Sequence, residues 1–420
     1  MDSLEIRGGV PLKGTVRISG AKNAVLPIMA ATLLTQEECV IRRVPSLADV
    51  TMMADILKSL GAEVRHSPGV LRVSAGCVGD TADYNLVRKM RGSICVLGPL
   101  LGRLGRAKVS MPGGCLIGMR PVDLHLKGMA ALGAKVSTAG GYVKAACDRP
   151  RGAEVFLGGR VGPTVLGTAN VMMAAVRARG RTVIESAACE PEVADLAKFL
   201  NAMGAQVSGA GSPTIVIDGV QTLHGAEHEV IPDRIEAATF AIAGVATRGR
   251  VTLRGARADH MMAVIDKLAE AGVKLESRRG LLTFRRPRKL KPVDITTLPH
   301  PGFPTDVQAQ MMALLTLIPG ISIITERIFE SRFMHAAELA RLGADVQIEG
   351  PSAIVKGVRS LSGAPMMASD LRASAALVIG GLMARGTTRV NRIYHLDRGY
   401  ERMDEKLRAL GARVRRVPQE

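Results

Sequence analysis

The chain has 420 residues, which is too long for one ordinary domain and fits two domains of roughly 200 residues each. Hydrophobic residues make up 47% of the chain but aromatic residues only 3%, so aliphatic side chains must build the cores. The formal net charge of +18 indicates anionic ligands. Because single-stranded nucleic acids are commonly held by stacking on aromatic side chains, this composition favours small phosphorylated ligands and predicts no nucleic-acid partner.

The six cysteines are scattered, with no Cys-x-x-Cys motif and no pair of histidines at ligand spacing. Neither a zinc site nor a disulfide framework is therefore expected. The first residues include acidic side chains where a signal peptide needs a basic start, and the longest apolar runs are shorter than the roughly 20 residues that cross a bilayer. We expect a soluble protein of the reducing cytoplasm with no membrane partner.

In chain order, one pattern recurs six times at intervals of about 70 residues. In each copy an amphipathic helix ends within a motif such as Leu60-Gly-Ala-Glu-Val64, and a pair of short strands follows. The glycine of the motif is expected to cap the helix in a left-handed conformation. These glycines are Gly61, Gly133, Gly204, Gly272, Gly343 and Gly411.

A second kind of helix, rich in small apolar residues, precedes each amphipathic helix. Because these helices are apolar on nearly every side, we expect them to be buried. They are predicted at residues 24–34, 97–104, 169–178, 237–246, 307–318 and 373–384. Each unit therefore reads helix, strand, helix and two strands, and six units divide into two α/β domains of three, with buried helices and outer sheets.

The two ends of the chain complement each other. The sixth unit stops at residues 413–420 without its last strand, whereas residues 4–8 form a surplus strand at the start. We therefore assign residues 1–21 and 230–420 to one domain and residues 22–229 to the other. The chain crosses between these domains twice, which predicts an active site in the cleft between them.

Polar and charged residues lie at both crossings. Ser19 precedes the first buried helix and is a candidate N-cap for it. Lys22 follows in the first turn, where a positive charge opposes the helix dipole, and this indicates another use for Lys22. At the second crossing, Pro232 and Asp233 suit the start of a helix.

Residues 111–125 contain a thiol, a guanidinium group and three glycines. Pro112 ends the preceding strand and the glycines permit close approach to a ligand, so we expect a mobile loop that carries Cys115. Arg120 stands just before a helix that begins at Pro121, where backbone N–H groups also favour an anion. The alternative is a surface loop with an incidental cysteine.

Later stretches add an acid and several arginines. Prolines restrict the backbone ahead of a buried helix and hold Asp306 in position, although Thr305 or Asp306 is also a candidate cap of that helix. Arg332, Arg372 and Arg398 recur at similar places in neighbouring units. Since guanidinium groups match carboxylate and phosphate in shape, this recurrence indicates a basic pocket for such groups.

Together these stretches resemble the UDP-N-acetylglucosamine 1-carboxyvinyltransferases, the enolpyruvyl transferase family that opens peptidoglycan synthesis. The resemblance covers essentially the whole chain. Its motifs are Lys22-Asn23, the Pro-Gly-Gly-Cys loop that runs into Arg120-Pro-Val-Asp-Leu-His125, Pro301-Gly-Phe-Pro-Thr-Asp306, Arg332-Phe-Met-His335, Asp370-Leu-Arg372 and Tyr394-His-Leu-Asp-Arg-Gly-Tyr400. It implies two domains of the inside-out α/β barrel type, each of three repeated units, and no metal or organic cofactor.

The resemblance also implies the reaction, in which the 3-hydroxyl of UDP-N-acetylglucosamine adds to phosphoenolpyruvate and phosphate then leaves. By similarity, Asp306 accepts the hydroxyl proton, and Cys115 acts as an acid and forms a covalent phosphoenolpyruvate adduct. Lys22 and Arg398 complete the implied catalytic set. The implied substrate-binding residues are Lys22, Asn23, Arg91, Arg120, Pro121, Val122, Asp123, Leu124, His125, Arg160, Asp306, Ile328, Arg332, Asp370, Arg372 and Arg398.

One stretch departs from the family pattern. Where the family has Lys-x-Ser-Val-Gly-Ala-Thr before its third buried helix, this chain has Gly158-Gly-Arg-Val-Gly-Pro-Thr-Val-Leu-Gly-Thr168, which is longer by about one helical turn. Arg160 replaces the lysine, and the glycines leave backbone N–H groups free to meet a diphosphate. We therefore expect a uridine diphosphate sugar to remain the acceptor, with altered affinity.

Three alternatives remain open. The first is the related transferase that acts on shikimate 3-phosphate, which the cysteine loop and the Pro-Gly-Phe-Pro-Thr-Asp stretch disfavour. The second is a paralogue that acts on another nucleoside or nucleotide sugar. The third is a non-catalytic protein of similar architecture that binds nucleic-acid ends, which only the net charge of +18 suggests.

Overall fold

A computed structural model describes residues 2–113 and 122–418. The chain folds into two compact units. Within the described residues, unit 1 comprises residues 2–19 and 232–418, and unit 2 comprises residues 20–113 and 122–231. Each unit has its own hydrophobic core. None of the helices in the described part of the chain is long and apolar enough to cross a membrane.

Apart from one helix of four residues, the α-helices alternate between the two predicted kinds. The α-helices are Lys22–Ala31 (α1), Ala48–Ser59 (α2), Tyr84–Val87 (α3), Leu97–Leu104 (α4), Asp123–Ala131 (α5), Val165–Ala175 (α6), Pro191–Ala202 (α7), Arg234–Ala246 (α8), Met262–Glu270 (α9), Thr305–Leu315 (α10), Met334–Arg341 (α11), Leu371–Met383 (α12) and Met403–Ala409 (α13). Short 3-10 helices span Thr32–Leu34, Arg91–Val96, Ala258–His260 and Ile393–Arg398.

The strands in the described residues are all two to six residues long. They are Asp2–Arg7 (β1), Lys13–Arg17 (β2), Cys39–Arg42 (β3), Glu63–Ser67 (β4), Val70–Ser74 (β5), Thr81–Ala82 (β6), Arg106–Ser110 (β7), Lys135–Ala139 (β8), Tyr142–Ala146 (β9), Glu154–Phe156 (β10), Gly158–Gly159 (β11), Gly162–Pro163 (β12), Arg181–Glu185 (β13), Gln206–Ser208 (β14), Thr214–Asp218 (β15), Glu227–Glu229 (β16), Arg250–Arg254 (β17), Lys274–Arg278 (β18), Leu281–Arg285 (β19), Ile295–Thr296 (β20), Ile321–Thr325 (β21), Asp345–Glu349 (β22), Ser352–Lys356 (β23), Pro365–Met367 (β24), Thr387–Asn391 (β25) and Arg413–Pro418 (β26).

Six four-stranded sheets share one topology, in which three antiparallel strands carry a short parallel strand at one edge. Unit 1 contains the sheets β24-β25-β1-β26, β18-β19-β17-β2 and β20-β21-β23-β22. Unit 2 contains β16-β3-β5-β4, β6-β7-β9-β8 and β10-β13-β15-β14. The prediction of a surplus first strand is confirmed, because β1 lies between β25 and β26 and completes the sixth repeat.

The helices that are rich in small residues form the centre of each unit. In unit 1, α8, α10 and α12 pack against one another, and in unit 2, α4 and α6 pack together with α1 beside them. Nearly all of their residues are buried. The prediction of inner helices with outer sheets is therefore confirmed.

The glycines of the repeated motif adopt the predicted left-handed conformation. Their φ angles range from 89° at Gly133 to 101° at Gly61. Each of these glycines follows the last turn of an amphipathic helix, such as α2 or α9, so a residue with a side chain would be strained there. The repeat read from the sequence thus marks the same structural position six times.

Candidate functional site

Asp306 lies in the first turn of α10, directly after the proline-rich stretch. The N-cap residue of this helix is Pro304, and no side chain caps the helix. Neither Thr305 nor Asp306 is therefore the cap, so the capping alternative for these residues is wrong. The Asp306 side chain keeps 26% of its surface exposed.

Two arginines bind the Asp306 carboxylate. Nη1 of Arg332 donates to Oδ1, and Nη2 of Arg372 donates to Oδ2, each over 2.9 Å. The arginine side chains are only 6% and 4% exposed. Burial would raise the pKa of Asp306, but the attraction and the hydrogen bonds of Arg372 and Arg332 outweigh burial and hold that pKa well below its ordinary value of 3.8. We call these three residues the Asp306 cluster.

Buried polar groups surround the Arg372 end of the cluster. The Arg372 guanidinium carbon lies 5.6 Å from the centre of the Tyr400 ring. The hydroxyl groups of Tyr400 and Thr239 lie 2.9 Å apart, and the side-chain amide of Gln310 donates to both. These contacts fix the ring against which Arg372 rests.

Glu326 was not predicted from the sequence, yet it is fully buried beside the cluster. Its Oε1 accepts hydrogen bonds from the Thr297 hydroxyl at 2.5 Å and from the backbone N–H groups of Ile328 and Phe329 at 2.8 and 3.0 Å. Ile328 is one of the predicted substrate-binding positions, so its backbone is held by this carboxylate. The sequence gives little indication of this role, because Glu326 is marked only by its position directly after the half-buried strand β21.

Glu326 also reaches the cluster through Thr305. Its Oε2 accepts a hydrogen bond of 2.8 Å from the Thr305 hydroxyl. The same hydroxyl oxygen accepts from Nη1 of Arg332 over 2.9 Å. Since a hydroxyl has one proton to donate, the carboxylate fixes the direction in which Thr305 accepts from Arg332.

Asp370 and Arg398 have different surroundings. Asp370 is the N-cap of α12 and accepts from the backbone N–H groups of Arg372 and Ala373 at 2.8 and 3.1 Å. Its carboxylate thus holds the helix turn that carries Arg372. Arg398 is the last residue of the 3-10 helix Ile393–Arg398. The pKa of His395 is lowered mainly by burial and then by the positive charge of Arg398.

The predicted residues of unit 2 begin at α1. Lys22 pairs with Asp49 of α2, with Nζ 2.6 Å from Oδ2, and Asn23 follows it in the same turn. The N-cap residue of α1 is Ala21, so the reading of Ser19 as the cap is wrong. The Ser19 hydroxyl instead donates to Glu401 over 2.6 Å.

Arg91 and His125 lie close enough to interact electrostatically. His125 is buried, and its Nδ1 lies 2.9 Å from the side-chain amide nitrogen of Asn170. The carbonyl oxygen of that amide accepts from Gly98 N–H, which fixes the amide as donor to His125 and leaves the imidazole proton on Nε2. Burial, and then Arg91, lower the pKa of His125 to about 3, so the ring is neutral.

The stretch that departs from the family pattern forms a small hairpin. Strands β11 and β12 pair through Gly159 and Gly162, with Arg160 at the exposed turn. A Cβ atom on Gly159 would lie 3.0 Å from Cδ1 of Leu124, so the hairpin packs closely on the start of α5. Thr164, which accepts from Gly167 N–H at 3.2 Å, then caps α6.

Val122 and Asp123 complete this side. Val122 is the buried residue before α5, and Asp123 is exposed in its first turn. The structure thus brings residues 122–125 together with the hairpin, which joins two of the predicted nucleotide-side segments.

Three predicted site residues, Cys115, Arg120 and Pro121, lie outside the described residues. The described cysteines are free thiols, and burial raises the pKa of Cys39 to about 11 and that of Cys95 to about 12. Among residues 2–113 and 122–418, no group of three or more His, Cys, Asp or Glu side chains is arranged to hold a metal ion.

Comparison with known proteins gives a consistent family. Residues 6–407 match the profile of EPSP synthase (3-phosphoshikimate 1-carboxyvinyltransferase). The chain is 53% identical to a UDP-N-acetylglucosamine 1-carboxyvinyltransferase from Methylacidiphilum infernorum over 417 residues, and the alignment covers 99% of each chain. It is 54% identical to UDP-N-acetylglucosamine 1-carboxyvinyltransferase 1 from Caldanaerobacter subterraneus over 406 residues, and this alignment covers 97% of each chain.

Solved structures show the same fold. The enolpyruvyl transferase NikO from Streptomyces tendae superimposes with a TM-score of 0.91 at 27% identity, over 100% of this chain and 99% of that chain. EPSP synthase from Acinetobacter baumannii superimposes with a TM-score of 0.75 at 17% identity, over the full length of both chains. The second likeness concerns the fold alone.

Proposed function

The chain belongs to the EPSP synthase family, in its UDP-N-acetylglucosamine 1-carboxyvinyltransferase branch, and on this premise we propose that it transfers the enolpyruvyl group of phosphoenolpyruvate to the 3-hydroxyl of UDP-N-acetylglucosamine. Phosphate is released, and the product serves peptidoglycan synthesis in the cytoplasm. The observation that carries the chemistry is the Asp306 cluster, in which one carboxylate lies between two buried guanidinium groups.

Asp306 is the proposed base for the attacking hydroxyl. While both guanidinium groups bind it, the carboxylate is a weak base, because its pKa is held well below 3.8. Anionic groups of the substrates compete for Arg372 and Arg332, and this weakens their hold on Asp306 and raises its basicity. Substrate binding therefore prepares the base at the moment when it is needed.

The addition step forms a bond between the 3-hydroxyl oxygen and C2 of phosphoenolpyruvate. The hydroxyl proton passes to Asp306, and the C3 methylene takes up a proton, for which Cys115 is the proposed acid. Elimination then breaks the bond between C2 and the phosphate oxygen and removes a proton from C3. In this proposal Lys22, Arg120 and Arg398 hold the anionic groups of phosphoenolpyruvate, as guanidinium and ammonium groups do.

The proposed reaction predicts inorganic phosphate as a product. Phosphate should appear when the protein is mixed with phosphoenolpyruvate and UDP-N-acetylglucosamine, and the nucleotide should gain the enolpyruvyl mass. Shikimate 3-phosphate in place of the nucleotide sugar, and phosphoenolpyruvate alone, are the controls. Phosphate release with shikimate 3-phosphate but not with the nucleotide sugar would contradict the proposal.

The hairpin of β11 and β12 is proposed to contact the UDP moiety through Arg160. Removal of this exposed charge in Arg160→Ala should weaken binding of UDP-N-acetylglucosamine by about 3- to 10-fold, because a hydrogen bond to a charged group contributes about 1 kcal/mol at an exposed position. Calorimetry measures the affinity. Arg151→Ala, at another exposed arginine of unit 2, is the control, and equal affinities in the two variants would exclude the hairpin from the nucleotide site.

A further inference from the structure

One sheet of unit 1 presents an unusual concentration of positive charge. In the sheet β18-β19-β17-β2, the residues Val16, Leu253 and Phe284 face the core, so the alternate residues face outward. Strand pairing places the outward residues in three rows across the sheet. The first row is Lys13, Arg250, Arg285 and Lys274; the middle row is Thr15, Thr252, Thr283 and Glu276; the third row is Arg17, Arg254, Leu281 and Arg278. We call these positions the basic face.

All seven cations of the basic face are exposed. The face contains one carboxylate, that of Glu276, which lies 3.6 Å from Arg250 Nη2. Among the described residues this is the only ion pair that the structure records for these cations.

On three of the other sheets with the same topology, an acidic side chain pairs with the arginines beside it. Glu38 pairs with both Arg65 and Arg72 on the sheet of β3, β4 and β5. Arg181 pairs with Asp218 across β13 and β15. Glu5 of β1 lies between Arg389 and Arg415 and pairs with both.

Two of the sheets carry four outward cations each. On the sheet of β24, β25, β1 and β26 these are Arg7, Arg389, Arg413 and Arg415, and Glu5 pairs with two of them. On the sheet of β6, β7, β9 and β8, Asp80 pairs with Arg106, and Lys108 lies over the Tyr142 ring. The basic face therefore differs from its structural equivalents in its seven cations and its lack of matching acids.

The first row is unfavourable unless an anion is bound to it. Like charges directly opposite each other on neighbouring strands destabilise a sheet, and this row places four in succession. A ligand that supplies a line of negative charges removes this repulsion. The geometry of the face therefore indicates an extended polyanion rather than a single phosphate group.

The composition predicts no nucleic-acid partner because the chain has few aromatic residues on which single strands could stack, but contacts to a duplex backbone do not need such residues. Against that expectation, we propose that the basic face binds the phosphate backbone of double-stranded nucleic acid, as a function separate from the enzymatic reaction. The first and third rows are four residues apart along the strands, or about 13 Å at 3.3 Å per residue, and the first row spans three strand spacings, or about 14 Å. The major groove of a duplex is about 12 Å wide, so each row meets the phosphates of one strand. The threonine hydroxyls between the rows are further phosphate donors.

The same face fits other polyanionic surfaces less well. Single strands are bound by stacking on aromatic side chains, and the exposed large hydrophobic residues of the described chain include none from β2, β17, β18 or β19. This lack of exposed apolar residues also disfavours a membrane surface, where such side chains enter the lipid interface. Five of the seven cations are arginines, whose planar forks suit phosphate oxygens.

The test is a titration of the full-length protein with a fluorescent duplex of about 20 base pairs and mixed sequence, over salt concentrations of about 50 to 200 mM. With up to seven phosphate contacts, the logarithm of the binding constant should fall against the logarithm of salt concentration with a slope of about −6. A single strand of the same length should bind more weakly. Vesicles of phosphatidylcholine and phosphatidylglycerol test the membrane surface.

Two variants with equal changes of charge make the test specific. Lys13→Gln, Arg250→Gln, Lys274→Gln and Arg285→Gln together remove the first row, and this should reduce the slope to about −3. Arg106→Gln, Lys108→Gln, Lys135→Gln and Lys144→Gln remove as many charges from the sheet of β6–β9 and should leave the slope near −6. Both variants should keep the parental rate of phosphate release.

Three results would overturn the proposal. They are equal weakening by the two variants, failure of the parent protein to bind the duplex at about 50 mM salt, and tighter binding to the vesicles than to the duplex. None of them bears on the enolpyruvyl transfer, which is measured separately.

Discussion

An Asp306→Asn enzyme is expected to have a kcat about 10² to 10⁴ times lower than the parent, while both substrates still bind. Asparagine keeps the size of the side chain but cannot accept the hydroxyl proton. Arg332 and Arg372 lose the carboxylate that competes with substrate anions, so the KM for phosphoenolpyruvate should stay constant or fall. Initial rates of phosphate release give kcat and KM, and calorimetry gives the affinity for the nucleotide sugar.

The stability of this variant must be measured with its activity. Removal of one partner from a buried ion pair lowers the free energy of unfolding by about 3 to 5 kcal/mol. Because 26% of the Asp306 side chain is exposed, the loss in Asp306→Asn should lie at or below that range. Asp306→Glu retains the counter-charge but moves it by one methylene, so it should unfold close to the parental temperature and still turn over slowly. Asp345→Asn, on the exposed face of β22, is the matched control. A near-parental kcat in Asp306→Asn would remove Asp306 from the mechanism.

Features with a local physical cause could be predicted from the sequence. A left-handed cap at the end of an amphipathic helix favours glycine, and the six predicted cap glycines have φ angles of 89° to 101°. A helix that is apolar on every side has no polar face to expose to water. The burial of α8, α10 and α12 could therefore be predicted from their composition. Even β1 could be assigned, because the last repeat lacked a strand that the first residues could supply.

Features that depend on distant pairing, and that no gap in the repeat reveals, could not be predicted. The edge strands β2 and β16 have three to five residues, and each pairs with a strand that is far away in the sequence, so no local pattern marks them. Without the pairing of β2 with β17, the basic face cannot be recognised. The capping readings of Ser19 and Thr305 failed for a similar reason, since distant charged groups bind both hydroxyls.

Glu326 shows the same limit within the site. Its position after β21 is equally typical of an exposed loop acid, and only the fold reveals that four donors surround it. A carboxylate accepts from all of them without offering a proton of its own. Its burial therefore depends on neighbours from three separate stretches of the chain.

A Glu326→Gln enzyme is expected to lose about 10- to 100-fold in kcat/KM for the nucleotide sugar, which corresponds to one charge-assisted hydrogen bond of about 1.5 to 3 kcal/mol. If the new amide oxygen takes the place of Oε1, the amide nitrogen faces Thr305. The Thr305 hydroxyl proton then has no acceptor. The Thr305 oxygen faces two donors, which are the new amide and Nη1 of Arg332. The direction in which Thr305 accepts from Arg332 is then no longer fixed by an acceptor for the hydroxyl proton, although every residue of the Asp306 cluster is still present.

A double-mutant cycle separates this positioning role from a general loss of stability. If Glu326 acts through Thr305, the losses caused by Glu326→Gln and Thr305→Val should not add in the double variant, since both remove the same connection to Arg332. Thr305→Ser keeps the hydroxyl and should remain near the parental rate. Glu338→Gln is the matched control, because Glu338 of α11 also accepts from a backbone N–H, that of Met367 in β24, but this hydrogen bond is exposed. Additive losses in the cycle would show that Glu326 only stabilises the fold, whereas a coupling energy above about 0.5 kcal/mol supports its role in positioning Arg332.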